Sequence, residues 1–173
     1  KTFVGNDPFA VLYGDDVIFS NTPVTKQLID VYNKFTLPVV GVKKVTEEQI
    51  VKYCSLKVDS IEDNVYRVWD MIEKPTPDKV FSLLSILGRV LLIPEIFPIL
   101  EKTAPGAGGE IQLTDAMCAL GKRYGMLACE FEGTRYDLGS KLGFLLANLD
   151  IGLEHPETMA ELRKYIKAAA ARF

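Results

Sequence analysis

Phe9-Ala10-Val11-Leu12-Tyr13-Gly14-Asp15-Asp16 decides how the rest of the chain is read. A mostly apolar run ends in a glycine and two acids, the pattern of a buried strand of a parallel sheet. In open α/β sheets, ligands sit just beyond the carboxyl ends of the strands. A glycine that lets the backbone turn, followed by two carboxylates, suits a hard divalent cation. An acidic turn that caps the next segment fits the same residues equally well.

The surrounding composition is that of a globular domain. The chain has 173 residues, 48% hydrophobic and 25% charged, which is enough to bury a core and too apolar for disorder. A net charge of -3 and the lack of any basic run give no footprint for nucleic acid. No apolar run reaches the roughly 18 residues of a membrane span, and Lys1-Thr2-Phe3-Val4-Gly5 has no secretory apolar region. The three cysteines, Cys54, Cys118 and Cys129, are far apart and form no CxxC. Neither a disulfide framework nor a zinc site is expected, and a reducing cytoplasm fits. The only histidine, His155, precedes Pro156 at an expected helix start and is poorly placed to be a general base.

Outward from the opening strand, the chain alternates strands and helices. Thr22-Pro23 reads as a helix cap and first helical residue, with Leu28, Ile29, Val31, Tyr32 and Phe35 at helical spacing. Leu37 to Lys43 reads as a second buried strand, and Thr46 with Gln49 as a capping box. Cys54–Val58 and Val65–Glu73 read as an antiparallel hairpin across the polar connector 59–64, stopped by Pro75. Leu83 to Leu92 is a further strand, and Glu95 to Lys102 a short helix. A helix from about Glu110 through Tyr124 and a strand from Met126 to Glu132 follow. Another helix covers Leu142 to Leu153. The last, in 155–173, has Met159, Leu162, Tyr165, Ile166 and Ala169 on one face. That amphipathic helix can pack on its own sheet or on a second copy of the chain, forming a homo-oligomer. The expectation is one α/β domain over 1–173 with a mixed sheet.

Three constellations carry chemistry. Asp137 lies before Gly139 and a helix, as Asp15 lies after Gly14. If the two ends share one edge of the sheet, Asp15 and Asp137 can hold one Mg²⁺, which takes one or two carboxylates and completes its shell with water and phosphate oxygens. Asp137 also fits an N-cap of the following helix. Glu73-Lys74 offers a carboxylate for sugar hydroxyls and a cation for a phosphate, although such a pair, taken by itself, is more often a solvated strand end. Pro105-Gly106-Ala107-Gly108-Gly109 lacks both GxxxxGK[ST] and GxGxxG, so it is read as a loop before a helix.

Taken together, GDD, EKP, PGAGGEIQLTDAM and YDLGSKLGF, in this order, resemble bacterial UTP–glucose-1-phosphate uridylyltransferases from about Phe9 to about Gly152. The resemblance implies a doubly wound, Rossmann-like nucleotidyltransferase fold and the reaction of UTP with glucose 1-phosphate to give UDP-glucose and pyrophosphate. It implies Asp15 and Asp137 as Mg²⁺ ligands, Glu73 on sugar hydroxyls and Lys74 on the sugar phosphate, with Cys54 and Gly139 beside the substrate. The nucleophile, a phosphate oxygen, is already ionised, so no general base is needed.

The chain departs from the family in three places. No G-x-G-T-R-x-x-P nucleotide loop occurs in it, and Gly133-Thr134-Arg135 reads as a chance match. The expectation is therefore a C-terminal portion of a longer enzyme, inactive alone, with the Phe9–Tyr13 strand at an open edge. Cys54 stands where the family usually has glycine, so its side chain is expected to crowd the sugar. Leu83 stands where an asparagine is usual. Both keep alive the alternatives of a different sugar or nucleotide, and of a non-catalytic sugar-nucleotide-binding module.

Overall fold

The computed structural model describes residues 1–106 and 109–172. Among them, six strands form one mixed sheet in the order β1-β6-β3-β7-β5-β4. These are β1 (Phe9–Leu12), β3 (Val39–Lys44), β4 (Cys54–Glu62), β5 (Val65–Glu73), β6 (Leu84–Leu92) and β7 (Leu127–Glu130). A separate pair joins β2 (Asp16–Phe19) to β8 (Thr134–Asp137). The helices are α1 (Val24–Phe35), α2 (Glu47–Ile50), α3 (Ile96–Leu100), α4 (Leu113–Tyr124), α5 (Lys141–Glu154) and α6 (Met159–Ala170).

The central strand β3 shows why a continuous apolar run is needed. It pairs parallel with β7 and antiparallel with β6. Val40 and Val42 join Ile96 of α3 and Met117 and Leu120 of α4 in one core cluster. The intervening Gly41 faces Leu28 of α1 and Phe131. Helices thus cover both faces, and both sets of alternating side chains are buried. Each fully buried Leu or Val there contributes about 1.5–3 kcal/mol. The α2 capping box forms as read, with Thr46 Oγ1 accepting from Gln49 N and Gln49 Oε1 from Thr46 N.

Several expectations are corrected. The strand read at Phe9–Tyr13 lies at the sheet edge, as expected, but is neither parallel nor buried on both faces: β1 runs antiparallel to β6, with Ala10 and Leu12 exposed. A four-residue apolar run reads the same at an edge and at a centre, because side-chain period does not encode position in the sheet. Thr22 does not cap α1. Its carbonyl instead accepts from Gln27 Nε2 at 2.8 Å. The connector 59–64 is mostly strand, since β4 runs on to Glu62 opposite Val65. The β2–β8 pair was not foreseen. The loop reading at Pro105–Gly109 falls partly on Ala107 and Gly108, outside the described residues.

The described chain divides into two compact units. The first, Lys1–Tyr13 with Phe19–Thr134, holds the six-stranded sheet and its helices. The second, Gly14–Ile18 with the chain from Arg135 onward, holds most of the β2–β8 pair and the packed helices α5 and α6. Among the described residues, no helix is long and apolar enough to cross a membrane.

Candidate functional site

The second unit gathers the acids. After Gly14 the chain turns, and Leu138 N donates to the Asp15 carbonyl at 2.7 Å, tying the two strand ends together. The Asp137 carboxylate does not cap α5. That cap is Ser140, whose hydroxyl accepts from Gly143 N at 2.9 Å. Freed from capping, Asp137 accepts from Gly139 N through Oδ1 at 3.0 Å.

Gly139 leaves space that both carboxylates share. A β-carbon built on it would sit 3.0 Å from Asp15 Oδ2 and 3.1 Å from Asp137 Oδ1. The two acids singled out from opposite ends of the chain therefore converge, and Gly139 belongs with them. The donor set fits Mg²⁺: two carboxylates with open surroundings, the remaining positions left to water and phosphate oxygens. Among the described residues no group of three His, Cys, Asp or Glu side chains forms a closed metal cage.

Beside the pair lie Asp16, read with Asp15 as one of two carboxylates suited to a cation, and Arg135, given no role in the sequence. Asp16 is 7% exposed and ion-paired with Arg135. Burial pushes its carboxyl above the usual range, outweighing the opposing pull of the guanidinium. Arg135 also lies 3.6 Å, through Nη2, from Asp137 Oδ2. The Gly133-Thr134-Arg135 stretch, set aside as a chance match, thus supplies a charged neighbour to the acids. The signal was available in the alternation of Arg135 and Asp137, which puts both on one face of a strand.

On the first unit, the hairpin gathers Cys54, Glu73 and Lys74. Cys54 pairs with Glu73 across β4 and β5, and Lys74 N donates to the Tyr53 carbonyl at 2.8 Å. Lys74 is exposed and adopts φ 46°, a left-handed conformation that costs a non-glycine residue roughly 1–2 kcal/mol. Glu73 is half-buried and accepts from Thr114 Oγ1, on the first turn of α4, at 2.8 Å. The Cys54 side chain does not stand at an exposed surface. It is 4% exposed in the core cluster, and burial holds its thiol far above the ordinary range. The thiol therefore provides no crowding group on the surface.

No family model matches the chain. Among curated proteins it is similar to the UTP–glucose-1-phosphate uridylyltransferase of Staphylococcus epidermidis, 44% identical over 167 residues that cover 96% of this chain and 58% of the relative. The same enzyme of Streptococcus pneumoniae is 43% identical over 171 residues, 96% of this chain and 57% of the relative. The chain thus spans little more than half the length of the curated relatives it matches. Among solved structures, a UDP-glucose pyrophosphorylase complexed with UDP-glucose superimposes with a TM-score of 0.86 at 38% identity, covering 89% of this chain and 59% of that one. A UTP-bound enzyme of the same name from Acinetobacter baumannii gives 0.85 at 32% identity, covering 95% and 57%. The mixed α/β architecture is therefore that of the nucleotidyltransferases.

Proposed function

Starting from this homology to UTP–glucose-1-phosphate uridylyltransferases, shared over 96% of the chain, we propose that the chain is part of an enzyme making UDP-glucose and pyrophosphate from UTP and glucose 1-phosphate. The observation that supports it is the convergence of Asp15 and Asp137 over Gly139. In the reaction, a phosphate oxygen of glucose 1-phosphate forms a bond to the α-phosphorus of UTP. The bond from that phosphorus to the bridging oxygen breaks, and pyrophosphate leaves with the electron pair. The attacking oxygen is ionised at neutral pH, so positioning and charge neutralisation carry the catalysis.

In this reading Asp15 and Asp137 hold Mg²⁺, and Gly139 keeps the space between them open. When bound, the ion neutralises charge on the phosphoryl oxygens. Lys74, exposed at the end of β5, offers its ammonium to the sugar phosphate. Glu73 accepts from sugar hydroxyls through the oxygen that Thr114 does not hold. Cys54 lies behind the sugar site, opposite Glu73 in the hairpin. The 173-residue chain alone is proposed to be inactive, because it contains no G-x-G-T-R-x-x-P loop to hold a triphosphate. Its cysteines are unbonded, which suits a cytoplasmic enzyme. A homo-oligomer through the C-terminal helices is a further part of the proposal.

The test is pyrophosphate release by the full-length protein from UTP, glucose 1-phosphate and Mg²⁺. Release that stops on chelation and is lost by orders of magnitude in Asp15→Asn and Asp137→Asn is the expected result. Binding of UDP-glucose without any release would replace the enzyme with a sugar-nucleotide-binding module. Turnover by the 173-residue chain alone would overturn its assigned inactivity.

A further inference from the structure

We propose that Arg135 is a positioning residue for the metal-binding carboxylates: its guanidinium, anchored on the buried Asp16, holds the Asp137 carboxylate in the rotation that turns one oxygen toward Asp15. The inference rests on reading Asp15 and Asp137 as the cation ligands.

The geometry divides the two oxygens of Asp137 between two partners. Oδ1 accepts from Gly139 N at 3.0 Å and is the oxygen that shares the space above Gly139 with Asp15. Oδ2 lies 3.6 Å from Arg135 Nη2. A carboxylate hydrogen-bonded at one oxygen, with a guanidinium 3.6 Å from the other, is biased toward one rotation about its terminal bond. Arg135 is itself held still. Its Nε donates to Asp16 Oδ1, and the side chains of Arg135 and Asp16 are 15% and 8% exposed. One rigid guanidinium plane thus serves two carboxylates at once, which a lysine ammonium on a flexible stem does not reproduce. Partners of this kind, one bond removed from a metal ligand, are typically worth about 10–100-fold in metal affinity.

A simpler role for Arg135 is neutralisation of Asp16 alone. The two roles differ in sign. Removing a cation from beside a metal site strengthens cation binding by Coulomb attraction, whereas loss of the orientation of Asp137 weakens it. Pairing Arg135→Met with Asp16→Asn removes both buried charges together, so that no uncompensated carboxylate is left behind.

The experiment measures Mn²⁺ binding to the full-length protein from the electron paramagnetic resonance of the free ion, in the presence of UDP-glucose. The expected result is a Mn²⁺ dissociation constant raised about 10–100-fold in the Arg135→Met/Asp16→Asn protein. Arg135→Lys, which keeps the charge and loses the fork, is expected to show a rise as well, and it carries the test alone if the double variant does not fold. Dissociation constants equal to or below that of the wild type overturn the inference. Asp15→Asn is the control. If it leaves Mn²⁺ binding unchanged, the ligand assignment itself fails. If it weakens binding while the Arg135 variants bind as the wild type does, only the role of Arg135 fails.

Discussion

Asp15 Oδ2 and Asp137 Oδ1 lie within 3.0 and 3.1 Å of a single point, the place where Gly139 would carry a β-carbon. The first prediction follows from that shared space. Gly139→Ala puts a methyl group between the carboxylates while leaving their charges intact. Gly139 is exposed and not in the left-handed region, so the backbone tolerates alanine. The expected outcome is a Mg²⁺ requirement raised by about tenfold or more, with a melting temperature near that of the wild type. An unchanged Mg²⁺ titration would remove Gly139 from the site.

Gly143→Ala, four residues on, is expected to behave in the opposite way. Its β-carbon would lie 2.0 Å from the Asp137 carbonyl oxygen and 2.7 Å from Ser140 Oγ. The helix gains about 1 kcal/mol from alanine over glycine. A backbone clash this close requires the start of α5 to move, and overpacking of this kind costs about 1–3 kcal/mol. The clash wins, and denaturant unfolding is expected to show a net loss of stability together with weakened metal binding. A gain in stability would show that the start of α5 adapts freely.

Thr114 presents its hydroxyl to Glu73 at 2.8 Å. A hydrogen bond to a charged group is worth about 1.5–3 kcal/mol. Thr114→Val is expected to raise the KM for glucose 1-phosphate about tenfold or more, leaving the KM for UTP little changed. Thr114→Ser should restore it. Equal effects on both substrates would point to general damage to α4 and away from orientation of Glu73.

Thr36 ends α1 at φ 53°, donating its N–H to the Tyr32 carbonyl. Left-handed backbone suits glycine and strains a β-branched residue. Thr36→Gly is expected to stabilise the protein by about 1 kcal/mol, read as a higher denaturant midpoint with unchanged activity. A lower midpoint would mean that the threonine methyl contributes packing that outweighs the strain.

Asp70 and Lys122 form a partly exposed pair, 2.8 Å apart. The hydrogen bond from Lys122 holds the Asp70 carboxyl below its ordinary range, and the hydrogen bond to Asp70 raises Lys122. A depressed acid stabilises the fold above its unfolded pKa and ceases to do so as pH falls through its folded value. A raised base does so below its unfolded pKa and ceases as pH rises through its folded one. Asp70→Asn should therefore cost the most at neutral pH, under about 1 kcal/mol for so exposed a pair. The cost should fade in acid. Unfolding curves at neutral and acidic pH check this, and a cost that stays constant with pH would assign the effect to packing.

The elements legible in the sequence are those whose own residues specify them. β3 and β6 are mostly apolar and buried along most of their length, and α1 and α4 repeat at helical spacing. The sequence singled out Asp15, Asp137 and Gly139 while leaving a turn or a cap open for the acids, and the structure sets the three side by side. What stayed hidden depends on distant partners. β2 and β8 are four residues each, and neither has a pattern that announces a strand until the other lies alongside. The antiparallel pairing of β1 with β6 is likewise set by its partner, whereas its edge position was expected. The alternation of Arg135 with Asp137 is visible in the sequence, but its pairing with the buried Asp16 is not.

Strand β8 has a consequence for how the protein reports on its own assembly. Arg135 and Asp137 alternate with Tyr136, whose hydroxyl reaches Asp150 of α5 at 2.9 Å. Sliding β8 by one residue against β2 would turn the phenol toward Asp16 and send the guanidinium and carboxylate to the opposite side. A misaligned chain would then present no pair of converging acids. A cation that binds only the aligned chain draws the population toward it by mass action. Bound metal would in that case act as a proofreader of strand alignment, and the fraction of chains able to take it up would measure how many have folded in register.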